Sequence, residues 1–248
     1  MPLPKIDLPT YEFELPSSGK KIKFRPFLVK EQKILLMALE AGKEADVIGA
    51  VKQIVTNCIV EENFDVNDMS AFDIEYFFIN LRARSIGEKM ALNFKCKNIV
   101  EEKECGHNMQ VEHDVLSAKI EKQPDHNKTI FFSKDVGVVM KYPSMKLAEN
   151  LVLKAKAKQK NLSETEIAMD MIVDCVDYFF EKDNIFYINE MSREEVRDYI
   201  ENIPKSSLDQ IEKFFQTMPT VKSLVEHKCE KCGFEHKIPI EGLISFFG

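Results

Sequence analysis

The sequence predicts an α+β fold in which helices predominate, built as two duplicated units over residues 1–122 and 123–248. Three observations lead there. A run of landmark residues recurs in the same order in both halves. Each half opens with alternating apolar and polar positions around a short polar turn, the pattern of a β-hairpin. Each half also closes on a pair of cysteines set between two strand-like stretches and followed by glycine.

The first hairpin is read in "YEFELPSSGKKIKFR", residues 11–25, where a Pro-Ser-Ser-Gly turn joins two alternating strands. Pro26 ends the second strand, and "FLVKEQKILLMALEAG" continues with helical spacing at Ile34, Leu35 and Leu39 before Gly42. The same order returns in "TIFFSKDVGVVMKYPSMKLAENLVLK", residues 129–154, with Pro143 in the place of Pro26. "IVTNC" ends at Cys58 and "MIVDC" at Cys175, and both cysteines lie 32 positions after their proline. "NDMS" ends at Ser70 and "NEMS" at Ser192, each serine placed to cap a helix, with Asp73 and Glu195 three residues on. The offset between the halves grows from 117 at the prolines to 122 at the serines, so a small insertion is expected around "FFEKDNIFYI".

In the second half Ser163 and Glu166 form a capping box before "IAMDMIVDCVDYFF". That segment reads as one helix carrying Ile167, Met171, Val176 and Phe179 near one face. Another helix is expected over "SSLDQIEKFFQTM", with Leu208, Ile211, Phe214 and Phe215 inward. The polar stretch "EKQPDHNK", residues 121–128, is the expected join between the units, with His126 exposed in it.

The chemistry-bearing residues are cysteines. Of the six, Cys58 and Cys175 fall on apolar helix faces, where buried packing is the expected role. "LNFKCKNIVEEKECGHNMQVEHDV" holds Cys96 and Cys105; "LVEHKCEKCGFEHKIPIEGL" holds Cys229 and Cys232. A C-x2-C turn presents two thiolates to one side of an ion, and structural zinc takes four such ligands in a tetrahedron. One structural Zn2+ held by Cys96, Cys105, Cys229 and Cys232, clamping the two halves, is the economical expectation. C-x8-C is not a standard knuckle spacing, so two other readings stand beside it. His107, His113, His227 or His236 could supply ligands, as in a set of Cys229, Cys232, His227 and His236, or the cysteines could hold no metal.

Composition narrows the class further. The formal net charge is −7 over 248 residues, which argues against a general nucleic-acid binder. No 18 apolar residues run together, so no membrane span is expected. The opening "MPLPKIDLPTYEFELP" lacks the apolar core of a signal peptide, and a cytosolic protein is expected. No P-loop, dinucleotide fingerprint, G-x-S-x-G or H-E-x-x-H occurs, so no enzyme is expected. Two stretches read as surfaces: the terminal "IEGLISFFG", whose Leu243, Ile244, Phe246 and Phe247 dock on the body or meet a partner, and the basic run Lys154, Lys156, Lys158 and Lys160.

The opening "MPLPKIDLPTYEFELPSSGKKIKFRPFLVKEQKILL", above all "LPSSGKKIKFRPFLVKEQK", resembles the start of T4-type bacteriophage baseplate hub proteins. The cysteine-bearing ends and the "ISFF" tail are in keeping with that resemblance. It implies a non-enzymatic viral protein acting in the cytoplasm of the infected bacterium, assembling the hub of a contractile tail's baseplate. Within it, a chaperone-like assembly factor binding other hub or tape-measure proteins is expected. A hub subunit retained in the virion is the alternative, and a zinc-ribbon nucleic-acid binder is a third reading. The resemblance supplies no catalytic residues, and the zinc expectation comes from the cysteines themselves.

Overall fold

The computed structural model describes residues 6–147, 149–150 and 163–246. In chain order the elements are β1 (Tyr11–Glu14), β2 (Lys21–Phe24), α1 (Val29–Ala41), α2 (Glu44–Cys58), α3 (Ala71–Ser85), β3 (Lys89–Lys95), β4 (Ile99–Val100), β5 (Lys103–Glu104), β6 (Asn108–Asp114) and β7 (Lys119–Glu121). There follow β8 (Thr129–Phe131), β9 (Val136–Met140), α4 (Glu164–Asp174), β10 (Val176–Glu181), β11 (Asn184–Tyr187), α5 (Arg193–Glu201), α6 (Lys205–Gln216), β12 (Thr220–Lys228) and β13 (Glu235–Glu241). No helix among the described residues is long and apolar enough to cross a membrane.

The chain folds as two compact units. One comprises Met1–Val66, Phe72–Glu121 and Thr220–Gly248; the other comprises Asn67–Ala71 and Lys122–Pro219. The unit boundaries therefore differ from the sequence halves at the last hairpin, β12–β13, which joins the first unit.

In the first unit β1 and β2 pair antiparallel with Tyr11 opposite Phe24 and Phe13 opposite Ile22. Alternation sends Phe13, Ile22 and Phe24 inward, where Phe13 and Phe24 each meet the Phe77 ring of α3 edge-on at 5.1 Å. Such edge contacts place the positive rim of one ring on the negative face of the next. Helix α1 starts where Pro26 stops the strand. Glu31, fully buried in its first turn, accepts from the Leu28 backbone N–H at 2.9 Å and pairs with Arg25 at 3.1 Å. Burial opposes the charge of Glu31, but those two donors hold its carboxyl below the ordinary range. The strands of this unit form the hairpin β3–β6, the small hairpin β4–β5 and a sheet in the order β13-β12-β7. The terminal segment docks here: Phe246 is fully buried.

The second unit carries a four-stranded antiparallel sheet in the order β11-β10-β9-β8. Ile130, Val138, Met140, Val176 and Phe179 on one face pack with Ile172, Val173, Val196, Ile200, Ile211 and Phe214 from α4, α5 and α6. Ser192 and Glu195 close the expected capping box at α5. Ser163 caps α4 by accepting from Glu166 N–H, while the Glu166 carboxylate reaches Arg197 at 2.7 Å.

The α+β class holds, but helices do not predominate: thirteen strands stand beside six α-helices among the described residues. The correction is largest at "IAMDMIVDCVDYFF". Helix α4 ends at Asp174, Cys175 follows as its cap, and β10 starts at Val176. Val176, Tyr178, Phe179 and Phe180 are β-branched or aromatic and gain more from lying between β9 and β11 than from prolonging a helix. His126 also departs from expectation. It is buried, hydrogen-bonded to Thr217 Oγ1 and Tyr142 Oη at 2.9 Å each, and stacked against the rings of Tyr142 and Phe214. The basic run at Lys154, Lys156, Lys158 and Lys160 lies outside the described residues, as does Phe247.

Candidate metal centre

Four cysteines from two hairpins converge in the first unit. Cys96 leaves β3 and Cys105 precedes β6; Cys229 leaves β12 and Cys232 precedes β13. One sulfur from each, taken together, all lie within 4.8 Å of one another, and among the described residues this is the one His/Cys/Asp/Glu group gathered so closely. Cys96 and Cys232 sulfurs are 3.6 Å apart, Cys105 and Cys229 sulfurs 3.9 Å. Four thiolates at the ~2.3 Å zinc–sulfur distance of a tetrahedral site sit about 3.8 Å from each other. The donor set and its spacing fit a zinc ion.

The irregular spacing of the first pair has a simple structural origin. In the second knuckle Cys229 N–H donates to Phe234 O at 2.8 Å and Gly233 N–H to Cys229 O at 2.8 Å. In the first, Cys96 N–H donates to His107 O at 2.8 Å and Gly106 N–H to Cys96 O at 3.0 Å. The two bonds are the same in each, and Gly106 and Gly233 share a left-handed φ of 66° and 74°, which side-chain-bearing residues rarely adopt. Between them the first knuckle carries Ile99–Glu104, the β4–β5 hairpin, turned by Glu101 and Glu102 at positive φ. Cys105 N–H donates to Asn98 O at 2.8 Å at the base of that hairpin. C-x8-C is thus a C-x2-C knuckle with a six-residue hairpin inserted ahead of its second cysteine.

The thiols are unequal. Burial first, and then its hydrogen bonds to neighbouring thiols, push Cys96 up to about 12 against the Asn98 backbone N–H. The Phe234 backbone N–H, helped by the Asn98 side chain, draws Cys232 down to about 6. Four adjacent thiolates repel one another, so the bare site keeps protons that a divalent cation would displace. Asn98 Nδ2 faces Cys232 Sγ at 3.7 Å and His236 Nε2 faces Cys96 Sγ at 3.2 Å. The Asn98 amide, and His236 in its Nε2–H tautomer, would donate toward the sulfurs and offset the negative charge that four thiolates would retain around one dication. Lys231 Nζ donates to Cys105 O at 3.1 Å and ties the knuckles together.

Of the histidines weighed as ligands, His236 lies at the cluster beside Cys96 Sγ but outside the four-sulfur group. His113 Nε2 bonds Ser223 Oγ at 2.9 Å, His227 and His236 are opposite each other in the β12–β13 ladder, and His107 contributes its carbonyl to the knuckle. Cys58 and Cys175 are fully buried, as expected of packing residues, and burial pushes their thiols up to about 11 and about 12. Sequence reasoning missed Asn98 as a neighbour of the sulfurs, because the fold of the knuckle loop brings it to Cys232, whereas His236, weighed there as a ligand, does reach the cluster.

Residues 8–248 match the family model of the T4 bacteriophage base plate protein. The chain is 26% identical over 238 residues to the baseplate hub assembly protein gp26 of Enterobacteria phage T4, covering 96% of this chain and 97% of that one. No solved structure matches the chain.

Proposed function

This chain belongs to the T4 bacteriophage base plate protein family, and from that premise we propose that it is a non-enzymatic assembly factor for the baseplate hub, stabilised by structural zinc. The observation that carries the reading is the end-to-end match to a hub assembly protein, 96% of one chain against 97% of the other. The proposed partners are other hub or tape-measure proteins, met in the host cytoplasm. As an assembly factor the chain leaves before the particle is complete.

The zinc proposal rests on chemistry internal to the chain. Cys96, Cys105, Cys229 and Cys232 would hold the ion; four thiolates fill a tetrahedron and leave no open position for a substrate, which suits a staple. The loop it closes between Cys105 and Cys229 exceeds a hundred residues, so the ion would restrain the unfolded chain strongly. Duplication of residues 1–122 and 123–248 is proposed on the element order. Hairpin β1–β2 and hairpin β8–β9 open the halves, α2 and α4 end beside Cys58 and Cys175, and α3 and α5 follow Ser70 and Ser192. The knuckles share their hydrogen bonds, and β10–β11 occupies the stretch where the offset grows.

Quantitative mass spectrometry of purified virions, set beside hub intermediates from infected cells, tests the assembly role. The chain is expected in the intermediates and absent from virions. Stoichiometric presence in virions would make it a hub subunit instead, the role favoured by the family's description as a base plate protein.

A further inference from the structure

An antiparallel sheet with one solvated face normally alternates apolar and polar residues along each strand. The sheet of the second unit does not. The register places Phe180 beside Ile185 and Gly137, Gly137 beside Phe131, and Tyr178 beside Tyr187 and Val139. These residues lie opposite the core face, yet none carries a charge. Phe131, Ile185 and Tyr187 are each about half exposed, at 51, 48 and 48%. Phe180 lies across Gly137, where a Cβ would come within 2.6 Å of its ring, and meets Phe131 edge-on at 5.4 Å.

The same apolar character reaches the sheet's edge. Strand β11 is outermost, and among the described residues no strand pairs with its outer side. Its sequence, Asn-Ile-Phe-Tyr, has neither the lysine nor the proline by which exposed edges are commonly blunted. Beside it opens a cavity of about 470 Å3, lined by Phe179, Phe186, Met191 and Tyr199 and by the carboxylates Glu181 and Glu195. Asp183 precedes the strand and Glu190 follows it in sequence, which with Glu181 and Glu195 makes four carboxylates. Lys182 lies among them, and the nearby Arg193 is already paired with Asp170 and Asp174.

We propose that β11 is a docking edge for an extended segment of a partner protein with alternating apolar and basic residues. A strand added there gains main-chain hydrogen bonds, and its side chains alternate between the two sides of the sheet. One set enters the cavity, apolar stems against Phe179, Phe186 and Tyr199 and cationic ends toward Glu181 and Glu195. The other set covers Ile185 and Tyr187. A second copy of this chain fits poorly, because it would bring the same four carboxylates against their counterparts. The inference does not depend on which assembly the chain serves.

The test uses the full chain and fluorescein-labelled ten-residue peptides of alternating Val with Lys, Glu or Ser. Anisotropy gives affinity, and hydrogen exchange reads residues 184–187. The Val/Lys peptide is expected to bind at least tenfold more tightly than Val/Glu and to slow exchange over 184–187. Glu181→Lys and Ile185→Lys, both at exposed positions and so compatible with folding, should each weaken it tenfold or more. Equal binding of the Lys and Glu peptides overturns the proposal, as does binding that leaves exchange over 184–187 unchanged. Self-association of the chain that Ile185→Lys abolishes would also overturn it, since a second copy would then cover the edge.

Discussion

Removing Ile99–Glu104 should leave the metal centre intact. The deletion joins Asn98 to Cys105, two residues whose carbonyl and N–H already face each other at 2.8 Å. It yields Cys96-Lys97-Asn98-Cys105-Gly106, the spacing of Cys229-Glu230-Lys231-Cys232-Gly233. The residues between the first two ligands fall from eight to two, which is two halvings of the loop. At ~0.6 kcal/mol per halving the closure entropy saved is about 1.2 kcal/mol, or roughly eightfold in zinc affinity. Strain in the shortened turn can consume that gain, so affinity is expected between unchanged and eightfold tighter. Competition against a chromophoric zinc chelator measures it, with thermal unfolding as the check on folding. A loss of affinity beyond tenfold in a folded variant would refute the equivalence of the two knuckles.

Three more outcomes follow from the geometry. In zinc-free native protein Cys232, half-buried and drawn down to about 6, should be alkylated first, while Cys58 and Cys175 should react only on unfolding; mass-resolved alkylation reads the order, and early labelling of Cys175 would contradict it. His126 and His113 are held below the ordinary histidine value, each chiefly by burial, His126 further by Lys122 and Lys128 and against the pull of Asp125. The unfolded chain then binds protons that the folded chain refuses, so stability present above about pH 6.5 is lost as pH falls. Urea midpoints at pH 7.5 and 5.5 check the sign, and a higher midpoint at pH 5.5 would contradict it. Gly137→Ala puts a Cβ 2.3 Å from the Ile130 carbonyl oxygen and should cost about 1–3 kcal/mol by urea denaturation; an unchanged midpoint would show that the strands part freely.

Local signals were legible where a residue type has one dominant conformational effect. Pro26 ended β2, Gly42 ended α1, and Ser192 with Glu195 opened α5. They failed where an apolar run suits helix and strand alike: Val176–Phe180 continues the helical pattern of α4, and only pairing with β9 and β11 makes it a strand. The four cysteines stood out as soft ligands next to glycines. The equivalence of the two pairs was legible from their flanking strands and glycines. The C-x8-C spacing was not, because it comes from the β4–β5 insertion, which ordinary spacing rules do not anticipate. His126 looked exposed because its sequence neighbours are polar. Its burial comes from Tyr142 and Phe214, 16 and 88 positions away.

The metal content of the full chain, purified from zinc-sufficient cells without a metal-binding tag, bears most directly on this account. Elemental analysis with X-ray absorption should find one zinc per chain in a shell of four sulfurs at about 2.3 Å. A folded chain that carries no zinc after such a purification, or a shell in which a His236 nitrogen replaces a sulfur, would contradict it.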